Sequence, residues 1–170
     1  CVLLFAYGFP EAFPVDVFVL QNLAASLHDL GRPEEAERYY REALEVMPES
    51  VLARTGLGRV LADLGALPEA EACFREAIAQ APAHGEAWAG LGLVSARRGR
   101  LPEAREYLEK ALALGEDTAA AHGNLANVLA ETGLYDEALV HYRKALEREP
   151  GNEAIRRNMG IAQRRAAESR

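Results

Sequence analysis

Apolar residues recur along this chain at helical spacing, in stripes that come two at a time. Leu20, Leu23, Ala24 and Leu27 stand at i, i+3, i+4 and i+7, which predicts an amphipathic helix with these four on its buried face. Gly31 closes the stripe, because glycine takes the left-handed cap conformation without a Cβ penalty. A second helix is predicted to follow at once. Pro33 suits a first-turn position, and Glu34 and Glu35 face the positive end of the helix dipole. Its stripe is Ala36, Tyr40, Ala43 and Leu44; Pro48 then ends it, since proline cannot continue a helix.

The same arithmetic returns every 34 residues. Gly31, Gly65, Gly99 and Gly133 form one column, and Ala36, Ala70, Ala104 and Ala138 another. Tyr40, Phe74, Leu108 and Tyr142 form a column of large residues, one per unit. Ala24, Gly58, Gly92 and Ala126 are small where two helices have to approach closely. A period of this length built from paired helical patterns predicts an all-α, right-handed solenoid. The units are residues 17–50, 51–84, 85–118 and 119–152, followed by a capping helix and tail over 153–170. Ile155, Met159, Ala162 and Ala166 share one face of that last helix, and Arg156, Arg157, Gln163, Arg164 and Arg165 the other. Arg54, His122, Ser95 and Glu116 depart from their columns, and these departures predict the third unit to be the least tightly packed.

These columns, with WAGLG at Trp88–Gly92 and YDEALVHYRKAL at Tyr135–Leu146, resemble the tetratricopeptide repeat (TPR) family over residues 17–166. The resemblance implies a protein–protein interaction scaffold whose first helices line a concave groove that takes peptide segments. One column of those helices holds Asn22, Gly56, Gly90, Asn124 and Asn158. The TPR arm of protein O-linked N-acetylglucosamine transferase carries asparagine there to hold a peptide backbone, so the resemblance implies a partial ladder broken by two glycines. An amide suits the task because it both donates and accepts; a tolerated surface asparagine is the alternative. The candidate peptide-binding residues are Gln21, Asn22, Arg59, Asn124, Asn127 and Asn158. Small residues (Ala25, Gly56, Ala62, Ala89, Gly90, Gly123) are expected to leave room beside them for a ligand backbone. The family's lysine–asparagine carboxylate clamp is absent, because Gln21 and Ala25 stand in its first-repeat positions.

Residues 1–16 do not follow the repeat. The string CVLLFAYGFPEAFPVDV resembles the helix-hairpin-helix DNA glycosylases of the 8-oxoguanine type, whose P-V-D motif matches Pro14–Val15–Asp16. The resemblance places Asp16 where that family has its catalytic aspartate, while the family's hairpin and lysine would lie before Cys1. A truncated fusion, a misassembled reading frame and coincidence are all compatible with the segment. The alternative function is therefore a fragment of a larger fusion enzyme, with a glycosylase upstream or a glycosyltransferase downstream. The first residue is not Met, which reads as a chain that begins inside something longer or has been processed.

Composition changes the picture in two ways. A net charge of −7 lacks the basic face that phosphate binding needs, so nucleic acid is not an expected partner. Charge is uneven, however. Five Arg and two Glu from residue 153 onward give a local +3 against −10 elsewhere, which reads as a solvated cap or an anchor for something acidic. Two cysteines make no disulfide framework, and no apolar run approaches a membrane span, so a reducing cytoplasm is expected. His28, His84, His122 and His141 occupy four different repeat positions with no metal-ligand spacing; His122 alone falls in a core column, and the others are expected at the surface. With no phosphate loop and no nucleophile elbow, the chain reads as a non-enzyme with no catalytic residue, cofactor or metal.

Overall fold

The computed structural model describes residues 16–169. They form nine helices and no strand: α1 (Val17–Asp29), α2 (Pro33–Val46), α3 (Val51–Asp63), α4 (Leu67–Gln80), α5 (Gly85–Arg97), α6 (Leu101–Ala113), α7 (Ala119–Glu131), α8 (Tyr135–Arg148) and α9 (Glu153–Glu168). First and second helices begin differently. Asp16, Ser50, Thr118 and Asn152 accept a hydrogen bond from a first-turn N–H at the starts of α1, α3, α7 and α9, whereas α2, α4 and α6 carry proline at their first or second position (Pro33, Pro68 and Pro102). Within each pair the turn is one repeated motif. Gly31 has φ +72°, and the Arg32 N–H reaches back to the Leu27 carbonyl at 2.9 Å. The pairs Ala66–Leu61, Arg100–Ser95 and Leu134–Leu129 repeat that bond.

The first helices α1, α3, α5 and α7 each pack on the second helix that follows, and every second helix packs on the next first helix, α9 being the last. First helices also approach their successors closely (α1 with α3, α3 with α5, α5 with α7, α7 with α9), while among the described residues second helices reach one another through long side chains, Arg41 to Glu69 and Arg105 to Glu137, each at 3.4 Å. The array therefore curves with first helices on its inner side. Along its length the four large residues of the second helices are the fillers, with Tyr40, Phe74, Leu108 and Tyr142 at most 5% exposed.

Two expectations need correcting. Leu23 is 40% exposed although Leu20, Ala24 and Leu27 are buried, because no helix precedes α1 among the described residues to cover it. The third unit is not loose. Val94, Ser95, Ala104, Leu108 and Ala111 are fully buried. The substitution at Glu116 changes the turn instead: α6 ends at Ala113 and Gly115 takes φ +91°. The backbone of Gly85 then packs closely on this loop, leaving a Cβ there only 3.0 Å from the Glu116 Cβ.

Candidate groove on the first helices

The candidate residues gather around two separate parts of the inner side. Gln21, Asn22 and Arg59 line a cavity of about 230 Å³ between α1 and α3, together with Phe18, Leu52 and Glu86. Two of the three are already engaged. The Gln21 Nε2 donates to the Ser50 hydroxyl at 2.6 Å. Arg59 pairs with Glu86 at 3.1 Å and donates to the His28 Nδ1 at 3.3 Å. Because the His28 Nδ1 is an acceptor there, its Nε2–H is the donor to Asp63, at 2.9 Å.

At the other end, Asn127 and Asn158 line both a cavity of about 470 Å³ and a neighbouring one of about 210 Å³, and Asn124 lines the smaller. The Asn127 Oδ1 accepts from the Tyr142 hydroxyl at 2.7 Å and from the Asn158 Nδ2 at 3.0 Å. Both lone pairs of that oxygen are thus used, and the orientation of both amides is set. The Asn127 Nδ2 and the Asn158 Oδ1, one donor and one acceptor, have no partner among the described residues. Burial pushes the Tyr142 phenol up to about 12, which keeps its proton in place for the bond to Asn127. Tyr135, Ile161, Glu131 and Arg165 complete the larger cavity.

The middle of the groove is closed. A Cβ on Gly56 would overlap the Tyr40 ring, and one on Gly90 the Phe74 ring. Gly56, Gly90, Ala62 and Gly123 are buried; at Gly56 and Gly90 the missing side chain makes room for the protein's own aromatic rings, while Gly56 and Gly123 also border the two smaller cavities. At Gly90 the space expected from its size is taken by the Phe74 ring; of that set only Ala25 and Ala89 reach partial exposure. Sequence reasoning also missed the Tyr142 hydroxyl, since its column marks it only as a core filler.

The histidines are a second correction. His122 is buried as expected, but His141 is only half at the surface, and the two rings meet with their Nδ1 atoms 2.9 Å apart. His122 Nε2 contacts Asp117 at 2.7 Å, and Arg148 also holds Asp117. Burial and the neighbouring His122 push His141 below the usual histidine value. Cys73 is partly buried, which raises its thiol. No group of His, Cys, Asp and Glu among the described residues could hold a metal ion, and no described helix is long and apolar enough to cross a membrane. Asp16 serves as the cap of α1, accepting from the Phe18 N–H at 2.9 Å; the remainder of the glycosylase-like segment lies outside the described residues.

Stacked helix–turn–helix units, small residues at their crossings and an inner face of first helices define an α-solenoid repeat protein. The chain belongs to the tetratricopeptide repeat family, whose model matches residues 16–83, 50–117 and 83–149 in overlapping windows. Among solved structures it is similar to YrrB, described as a TPR protein with an unusual peptide-binding site, at 28% identity over 86% of this chain and 76% of that one, TM-score 0.62. It shares its fold with MamA of Desulfovibrio magneticus RS-1 (22% identity, 89% and 85% covered, TM-score 0.70). The same holds for pilF of Pseudomonas aeruginosa (21%, 89% and 69%, TM-score 0.75). No curated protein sequence matches the chain.

Proposed function

We propose that this chain is a protein-interaction scaffold that binds an extended peptide at the C-terminal end of its concave groove, across Asn127 and Asn158. TPR proteins are in general protein-interaction scaffolds, and the likeness to YrrB, a protein described by its peptide-binding site, supports a peptide as ligand. The observation that carries the reading is the amide pair oriented by Tyr142. It offers one free donor and one free acceptor to the groove, the complement of a peptide C=O and N–H. Beside it the larger cavity gives a side chain a wall of Tyr135, Ile161 and Ala130. Gln21 and Arg59 are held by Ser50 and Glu86, so the N-terminal cavity, where Asn22 lies, contributes less, and Asn124 in the neighbouring smaller cavity extends the contact. The role is binding; no residue in the groove is assigned to catalysis.

The test is a peptide array, with the best binder titrated against Asn127→Ala, Asn158→Ala and Tyr142→Phe. Each lost amide contact weakens binding by about 0.5–1.5 kcal/mol. Tyr142→Phe, which keeps the ring in place but frees the Asn127 amide to turn, weakens it by a similar amount. Unchanged affinity in all three, together with loss of binding on changing exposed second-helix residues such as Arg143, would place the ligand on the convex side instead.

A further inference from the structure

Helix α9 is built as a first helix, and no second helix covers it among the described residues. Gly160 stands 34 residues beyond Ala126 in the small-residue column. In the other units that column underlies a large side chain of the unit's own second helix. A Cβ on Gly58 would lie 2.8 Å from the Phe74 ring, and one on Gly92 2.6 Å from Leu108. At Gly160 nothing lies within 4 Å. The position that elsewhere receives a large side chain is open on α9.

The surroundings of that opening have changed in one direction. Arg156 and Gln163 hold the places that Leu20 and Leu27 hold on α1. Arg156, Gly160 and Arg164 lie on one i, i+4, i+8 row. Arg156 donates to the Pro150 carbonyl at 2.6 Å. Arg157 and Arg164 are exposed and have no carboxylate within ion-pair distance among the described residues, although the rest of the chain is acidic. We propose that this face of α9 docks an amphipathic helix of a partner protein, which seats a large apolar or aromatic side chain over Gly160 between carboxylates that meet Arg156, Arg157 and Arg164. The continuity of the repeat supplies the shape, because every other first helix pairs with a second helix across the same column. Unpaired arginines supply the charge preference. A second copy of this chain does not fit as the occupant. Its four large second-helix residues, Tyr40, Phe74, Leu108 and Tyr142, are buried in their own units.

The probe is a labelled synthetic helix of about 16 residues, long enough to hold helical structure when bound. It carries a central Phe, Ala four residues before and three after it, and Glu three before and four after. Fluorescence anisotropy should show saturable binding to the intact chain. That binding weakens about tenfold or more when the Phe becomes Ala, when the Glu residues become Lys, in Gly160→Leu, and in the double variant Arg157→Glu, Arg164→Glu. Gly160→Leu fills an open position with a better helix former, so its melting temperature should match or exceed the parent's, which separates blocked docking from misfolding. An excess of a groove-binding peptide should leave binding of the probe unchanged, making this surface distinct from the groove. Absence of saturable binding, binding unchanged in Gly160→Leu, equal binding of the Lys probe, or a dimer of the chain that buries α9 would each overturn the proposal.

Discussion

The middle of the groove and its C-terminal end share one register and differ in one column. In the second and third units that column is glycine, and the aromatic ring of the preceding second helix closes over it: Tyr40 on Gly56, Phe74 on Gly90. At the C-terminal end the column holds Asn124 and Asn158. There the Tyr142 ring stays in the core, and its hydroxyl turns to the Asn127 amide. One half of the inner face is therefore an extension of the core, and the other is a surface with unused hydrogen-bonding groups. In a solenoid, a single Cβ at a helix crossing decides between the two. The supports differ as well. Glu71, with its side chain 11% exposed, joins α4 to the α5–α6 turn by accepting from Arg75, Arg98 and Arg100, while the α7–α8 pair rests on the contact between His122 and His141.

The sharpest way to break this comparison is to exchange the column residue between the two regions. Gly90→Asn forces a side chain into the space of the Phe74 ring and should cost about 3 kcal/mol in urea unfolding. Asn158→Gly loses one amide contact and some helix propensity, about 1 kcal/mol. Similar costs for the two would mean that Phe74 does not fill the Gly90 position.

Glu71 comes next. Glu71→Gln should cost about 2 kcal/mol, since three guanidinium groups lose their shared anion. The hydrogen bond from Arg100, with Arg75 second, holds the Glu71 carboxyl down to about 2 from an ordinary 4.5. A depressed acid stabilises the fold fully above its unfolded value, and that stability is lost as pH falls from about 4.5 through about 2. Acid unfolding of the Glu71→Gln variant should show a correspondingly shallower fall over that range.

The smallest effect sharpens the contrast between the halves. His141 is held below the ordinary 6.5 by burial, then by the charges of His122 and Lys144, against the opposing pull of Glu109 and Glu137. His122 in turn faces Asp117, which Arg148 also holds. Stability from neutral His141 is fully present above 6.5 and declines as pH falls through its lower folded value. Hydrogen exchange should therefore show α7 and α8 losing protection between pH 6.5 and 4.5, before α3 and α4 do, and His141→Gln should remove the difference. Equal protection of both pairs down to pH 4.5 would show that the histidine contact carries none of the local stability.

The sequence by itself determined the helices, their pairing and their period, because those follow from local chemistry. Apolar residues at helical spacing mark the buried faces, glycine with positive φ closes each inner turn, and proline or a capping side chain opens every helix but α5 and α8 among the described residues. It also marked the large second-helix residues as core and set the register that made Asn22, Asn124 and Asn158 one column. What it could not show was which small residues are empty space and which are filled. Gly56, Gly90 and Gly160 read alike as letters; the first two lie under aromatic rings and the third under nothing. Whether a glycine opens a groove or closes a core depends on a side chain 16 residues away in the chain, brought there only when the units stack. The same holds for Tyr142, Asn127 and Asn158. Each is separately a core filler or a tolerated polar residue, and only their meeting across three helices sets the direction of two amides. Contacts between repeats carry that information, and no periodicity within a repeat contains it.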